Sequence, residues 1–150
     1  MSTVSAQFNR DANHVPIDGL GFTETKAITY SALTTGAVGA TTLFTVTGVV
    51  AVRLFGVVSG ADLTGAGTLE AGISGNTAAL IAQTTGTGLD VGEVWIDNAP
   101  ATVEALPAMQ ILAAGTDVIQ TIGTDTITAG TITYYCLWYP ISTDGNVVAV

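Results

Sequence analysis

Charge is scarce in this 150-residue chain. Only 10% of its residues are charged, and just three of them, Arg10, Lys26 and Arg53, are cations. Nucleic-acid binding draws its affinity from Lys and Arg neutralising phosphates, so three scattered cations exclude it as an expected activity. An anionic membrane surface is disfavoured for the same reason. The twelve acids bring the net charge to −9 and form no run, which reads as solubility. Cysteine occurs once, at Cys136, so no intrachain disulfide can form. Histidine also occurs once, at His14, far from Cys136 in sequence. A thiolate nucleophile needs a cationic or imidazole partner, and none is indicated. Long apolar runs are missing too. The longest covers residues 49–58, is interrupted by Arg53, and falls short of the roughly 20 residues that span a bilayer. The first residues show no basic start followed by an apolar run, so synthesis in a host cytosol without export by that route is expected.

What the chain has instead is threonine and glycine. Eighteen residues are Gly and about a sixth are Thr. The threonines alternate with Val, Ile, Leu and Ala, as in Thr41-Thr42-Leu43-Phe44-Thr45-Val46-Thr47 and Thr126-Ile127-Thr128-Ala129-Gly130-Thr131-Ile132-Thr133. β-Branched side chains suit a pleated, half-buried surface. Strands are expected over residues 25–31, 42–47, 49–58, 68–73, 78–84, 94–96, 109–113, 118–122, 126–129, 131–139 and 147–150. Gly and Asn between them supply the positive φ of tight hairpin turns. Close spacing without an amphipathic helix indicates an all-β antiparallel sandwich or jelly roll. Residues 100–107 suit either one helical turn or a loop. Residues 1–22 keep neither period and carry isolated apolar residues, so they read as an extended N-terminal arm. Residues 23–150 then form a single β-sandwich domain, a size that buries roughly two-thirds of its unfolded surface.

Two strands are expected at the centre. Val50, Val52 and Leu54 share one face of the first, and Ala51, Arg53 and Phe55 the other. In the second, Ile132, Tyr134, Cys136 and Trp138 share one face, while Thr133, Tyr135, Leu137 and Tyr139 share the opposite one. Cys136 among aromatics reads as a small core residue. Aromatics on both faces imply two covers. One is the second sheet. The other is expected to be a neighbouring subunit, since Tyr and Trp are enriched at interfaces, which makes the chain a homo-oligomer.

Chemical motifs fail on inspection. Gly65-Ala66-Gly67 and Gly86-Thr87-Gly88 complete no phosphate loop and read as hairpin turns. Asp117, Asp125 and Asp144-Gly145-Asn146 lack the alternating acids of a calcium loop. Glu70 and Glu93 read as solvent-facing or turn residues rather than paired catalytic carboxylates. The Thr-Gly-small phrases at residues 35–37, 64–66 and 85–87 are too irregular for a solenoid. No catalytic residue, cofactor or metal is expected.

Three stretches carry a resemblance. They are Leu43-Phe44-Thr45-Val46-Thr47-Gly48-Val49-Val50-Ala51-Val52-Arg53-Leu54-Phe55-Gly56-Val57-Val58, Gly67-Thr68-Leu69-Glu70-Ala71-Gly72-Ile73-Ser74-Gly75-Asn76-Thr77-Ala78-Ala79-Leu80-Ile81, and Gly130-Thr131-Ile132-Thr133-Tyr134-Tyr135-Cys136-Leu137-Trp138-Tyr139-Pro140-Ile141-Ser142. They resemble small β-rich virion proteins of tailed bacteriophages, particularly capsid decoration or cement proteins. Asn9-Arg10-Asp11-Ala12-Asn13-His14-Val15-Pro16-Ile17 is similar to the arm that opens several phage head and tail accessory proteins. The resemblance implies a jelly roll, assembly as dimers or trimers, a place on the capsid exterior, and the major capsid protein as partner. Under it, Phe8, Arg10, Val15, Ile17, Leu20 and Phe22 in the arm, with Tyr135 and Tyr139, are the expected capsid or subunit contacts. Other readings are another virion part, such as a head-fibre base, a tail accessory protein or a receptor-binding module, and, more remotely, a carbohydrate-binding sandwich.

Overall fold

The structure, a computed structural model, describes residues 21–150. Phe8, Arg10, His14, Val15, Ile17 and Leu20 lie outside the described residues. Ten strands are formed: β1 (Phe22–Thr29), β2 (Gly39–Thr47), β3 (Val50–Thr64), β4 (Thr68–Ile73), β5 (Asn76–Thr85), β6 (Val94–Trp95), β7 (Gln110–Leu112), β8 (Val118–Gly123), β9 (Ala129–Pro140) and β10 (Asn146–Ala149). They make two antiparallel sheets. The first is ordered β1-β9-β3-β6, with β7 also on β3, and the second β10-β2-β8-β4-β5.

The pairings are nested: β1 with β9, β2 with β8, β3 with β6 and β7, and β4 with β5. A long hairpin rolled up so that alternate strand pairs fall in opposite sheets gives this order. It is the jelly roll. The all-β sandwich expected from the threonine alternation is therefore what the chain forms.

Most glycine breaks are not the hairpin turns expected of them. β1, β3, β6, β7 and β9 lie in the first sheet and the other five in the second. The chain thus crosses between sheets at most of its connections. Only Ile73–Asn76 joins neighbouring strands by a tight turn, with Gly75 at φ 88°. Gly65-Ala66-Gly67 and the short 3-10 turn Gly86–Gly88 are crossings that meet at one end of the sandwich. There they close around Ile127, which is fully buried. Ile127 donates to the Gly36 carbonyl at 2.8 Å, and Thr128 to that of Thr64 at 2.7 Å. This is why residues 126–128 make no strand: their backbone is spent on turns. Residues 100–107 hold no helical turn, only a bridge between Val94 and Ala101. β1 starts at Phe22, inside the expected arm, because Phe22 pairs with Trp138 and its ring packs tilted against it at 4.9 Å.

β3 and β9 form the centre, paired from Val50–Pro140 to Ser59–Thr131. Opposed residues in an antiparallel pair share a face. Val50, Val52, Leu54, Val58, Ile132, Tyr134, Cys136 and Trp138 all turn inward and are buried. Gly56 faces inward among them. A Cβ there would stand 2.9 Å from Ile132 Cγ2, so the glycine makes room for Ile132, beside Trp95, which packs at 6.2 Å from the Tyr134 ring. In β2 a bulge between Thr42 and Phe44 turns both Leu43 and Phe44 into the core, breaking the simple alternation.

One polar bridge crosses this core. Tyr30 and Tyr134, from the first sheet's side, each donate to Gln120 Oε1 on β8 at 2.8 Å, and their hydroxyls lie 3.2 Å apart. Burial holds both phenols well above their ordinary pKa, so both stay neutral.

Candidate functional site

The outward face of each sheet is the surface a partner meets. On the first sheet this face is built by Ala51, Arg53, Phe55 and Val57 of β3 and by Thr131, Thr133, Tyr135, Leu137 and Tyr139 of β9, because their register partners coincide. Its two ends differ. Toward Thr131 it is a hydroxyl ladder: Thr29 and Thr131 Oγ1 lie 3.1 Å apart, and Ser59 Oγ and Thr133 Oγ1 3.4 Å apart. Toward Tyr139 the β3 and β9 side chains are aromatic and aliphatic around Arg53, with Thr23 and Thr25 of β1 beside them. Phe55 and Tyr135 are direct cross-strand partners whose rings stack at 5.2 Å and 14°. Leu137 is only 6% exposed although it faces away from the core.

A cavity of about 180 Å³ opens beside this stack. Phe55, Val94 and Ile96 line it from the sheet, and Glu104, Ala105, Leu106 and Pro107 from the connection between β6 and β7. Near it Ile111, Leu106 and Val103 are exposed. The patch mixes aromatic rings, aliphatic side chains and one guanidinium, Arg53. That is the composition of the buried centre of a protein interface.

Of the expected contact residues, Tyr135 and Tyr139 lie together on this face. Phe22 lies on the inward side of β1 against Trp138, at the sandwich rim, and is 42% exposed. The remaining five are outside the described residues. Phe55, Arg53 and the cavity complete the patch. The sequence shows that Arg53 and Phe55 face away from Val52 and Leu54, but not that Phe55 falls opposite Tyr135.

The acids considered for metal or catalysis are occupied locally. Asp117 Oδ1 accepts from the Val46 amide at 2.9 Å, Asp125 Oδ1 from the Thr126 amide at 2.7 Å, and Asp144 Oδ1 from Ser142 Oγ at 2.6 Å. Glu70 accepts from Gln83 at 3.2 Å on the outside of the second sheet, and Glu93 from the Asp90 amide. Among the described residues no three His, Cys, Asp or Glu side chains cluster to hold a metal. Cys136 is fully buried, and burial first, then the nearby Glu24 charge, push its thiol up to about 12. It is protonated at neutral pH.

Compared with protein-family models, curated proteins and solved structures, the chain has no significant match.

Proposed function

We propose that the chain is a non-enzymatic structural protein of a tailed-phage virion. It binds the outer capsid surface as a homo-oligomer and stabilises the shell, with the major capsid protein as partner. The observation that carries this reading is the outward face of the first sheet. A solvated antiparallel sheet ordinarily presents a polar outer face. Here Phe55, Tyr135 and Tyr139 place part-exposed aromatic rings around the buried Leu137, and an apolar patch on an outer face marks an interaction site. A jelly roll is a fold used in capsids but also in lectins and other proteins, so it supports the reading by analogy alone. The contact is made by this face together with the N-terminal segment. A carbohydrate site would want several polar groups converging on the cavity, and Glu104 is the one charged residue lining it.

The test is to mix the purified protein with tailed-phage heads before and after expansion and image them by cryo-electron microscopy. Regular added density on expanded heads is expected. Bare heads together with binding to tails, or a hit on a glycan array, would replace this reading.

A further inference from the structure

Among the described residues the first sheet ends at β1 on an open edge. We infer that β1 pairs antiparallel with β1 of a second copy, about a two-fold axis at Thr25, and so joins the first sheets of two subunits into one. The inference gives the homo-oligomer of the proposed function its contact and rests on that part of the reading. It concerns the free protein, without a shell.

β1 differs from the other edges. β6, β7 and β10 are two to four residues long, and β5 meets β4 with two register shifts. β1 keeps one register with β9 over all eight of its residues. Its hydrogen bonds alternate. Tyr30 donates to the Gly130 carbonyl, so Ile28, Lys26, Glu24 and Phe22 also bond to β9. The amides and carbonyls of Thr23, Thr25, Ala27 and Thr29 then point away from the sheet. The Thr29 carbonyl accepts from Thr35 Oγ1 at 2.6 Å, which agrees with this and closes that end. Thr23, Thr25 and Ala27 are exposed and remain as a template for another strand.

The side chains select the partner and the register. Pairing through these groups sets odd-numbered residues opposite odd-numbered ones. With Thr25 on Thr25, Thr23 meets Ala27, and about six backbone hydrogen bonds form. Glu24 then stands opposite Lys26, twice by symmetry, and Phe22, 42% exposed, stands opposite Ile28. Both pairs occupy non-hydrogen-bonded positions, where side chains approach most closely. Moving the axis by one residue would set Glu24 on Glu24 or Lys26 on Lys26. Inward charges on an edge strand ordinarily resist pairing; here each meets its opposite. Lys26 holds the Val150 carbonyl of its own chain and keeps further ammonium protons for Glu24. The axis stands perpendicular to the joined sheet. The Phe55–Tyr135 faces of both subunits therefore point the same way and can meet one shell together.

Sedimentation of the full chain, with four variants, tests the pairing. The parent should be a dimer at micromolar concentration. Mild oxidation should cross-link Thr25→Cys, whose Cα atoms lie about 5.5 Å apart across the axis. It should not cross-link Thr23→Cys, whose copies stand four residues apart, about 13 Å. Cys136 is buried and takes no part. Glu24→Lys and Lys26→Glu each set like charges opposite one another and should raise the dimer dissociation constant about tenfold or more. Mixing these two variants should restore a dimer, because every cross-strand pair is then of opposite sign. A monomeric parent would overturn the pairing, while binding to expanded heads is read separately and would stand or fall by itself. So would an oligomer in which Thr25→Cys cross-links no better than Thr23→Cys, or folded charge variants that associate as the parent does. If a charge variant does not fold, the two cysteine variants decide.

Discussion

The two sheets share one core but differ outside. On the second sheet the outward residues are Thr42, Thr45, Thr47, Thr68, Glu70, Thr85 and Thr121, with Val148 and Ile119 as isolated apolar members. On the first sheet the same hydroxyl pattern occupies the end near Thr131 and then stops. Along β9 no threonine faces outward from Tyr135 to Tyr139, and Thr25 and Thr23 of β1 flank Tyr135 and Leu137 at the sheet edge. Threonine is the default outer residue of this chain because it keeps β-propensity while facing water. On β3 and β9 it gives way to the stacked Phe55 and Tyr135, which is the difference the proposed contact rests on.

The largest expected effect tests that difference directly. Phe55→Asp with Tyr135→Asp places two charges in the patch and should weaken head binding by about 4 kcal/mol, near a thousandfold. The double variant Thr45→Asp with Thr121→Asp on the second sheet should leave binding within a factor of two or so, since exposed substitutions away from special features are near-neutral. Occupancy on expanded heads, titrated against concentration, reads both. Equal losses from the two pairs would abolish the distinction between the faces.

Next comes a site where the second face does not behave as free surface. A Cβ on Gly72 would lie 2.6 Å from the Ala79 amide nitrogen and 2.7 Å from the Thr77 carbonyl carbon, because β5 folds over it. Gly72→Ala should cost about 3 kcal/mol, seen as a lowered thermal midpoint. An unchanged midpoint would mean that β5 does not cross there.

Between the sheets, Tyr134→Phe removes one donor of the bridge to Gln120 and should cost about 1–2 kcal/mol near neutral pH. The bridge also gives a pH dependence. Unfolded tyrosine ionises near pH 10, roughly, while Tyr30 and Tyr134 are held neutral above that by burial. Their contribution is therefore complete below about pH 10 and is lost as pH rises beyond it. Denaturant melts from pH 8 to 11 should show a steeper fall for the parent than for Tyr134→Phe; parallel curves would contradict the buried-phenol account.

The smallest effect is at Thr124, a β-branched residue held at φ 62° in the turn after β8. Thr124→Gly should gain up to about 1 kcal/mol. A loss in the chemical-denaturation midpoint would show that the side chain, whose hydroxyl donates to the Gly123 carbonyl, matters more than the strain.

Much of the fold could be read from residue types. The alternation of Thr with Val, Ile and Leu marks strands, and β4 coincides with its expected span because a true turn follows it. The opposed faces of β3 and β9 were also visible, since period 2 fixes them within a strand. The partners of those strands were not. Nothing local says that Gly56 must face Trp95, or that residues 126–128 spend their amides on Gly36 and Thr64. The β2 bulge, which buries Leu43 and Phe44 together, breaks the very rule used to read faces. The candidate site was legible to the same extent. Tyr135 and Tyr139 stood out within one strand, but the stack with Phe55 and the cavity under residues 104–107 arise only once distant segments pair.

The most direct test of the contact face is hydroxyl-radical footprinting of the protein on expanded heads, with free protein as reference. In the bound state Phe55, Tyr135 and Tyr139 should be protected, while Ile119 and Val148 on the second sheet react as they do in free protein. Reactive Tyr135 and Tyr139 in the bound state, with protection at Ile119 and Val148 instead, would contradict the account.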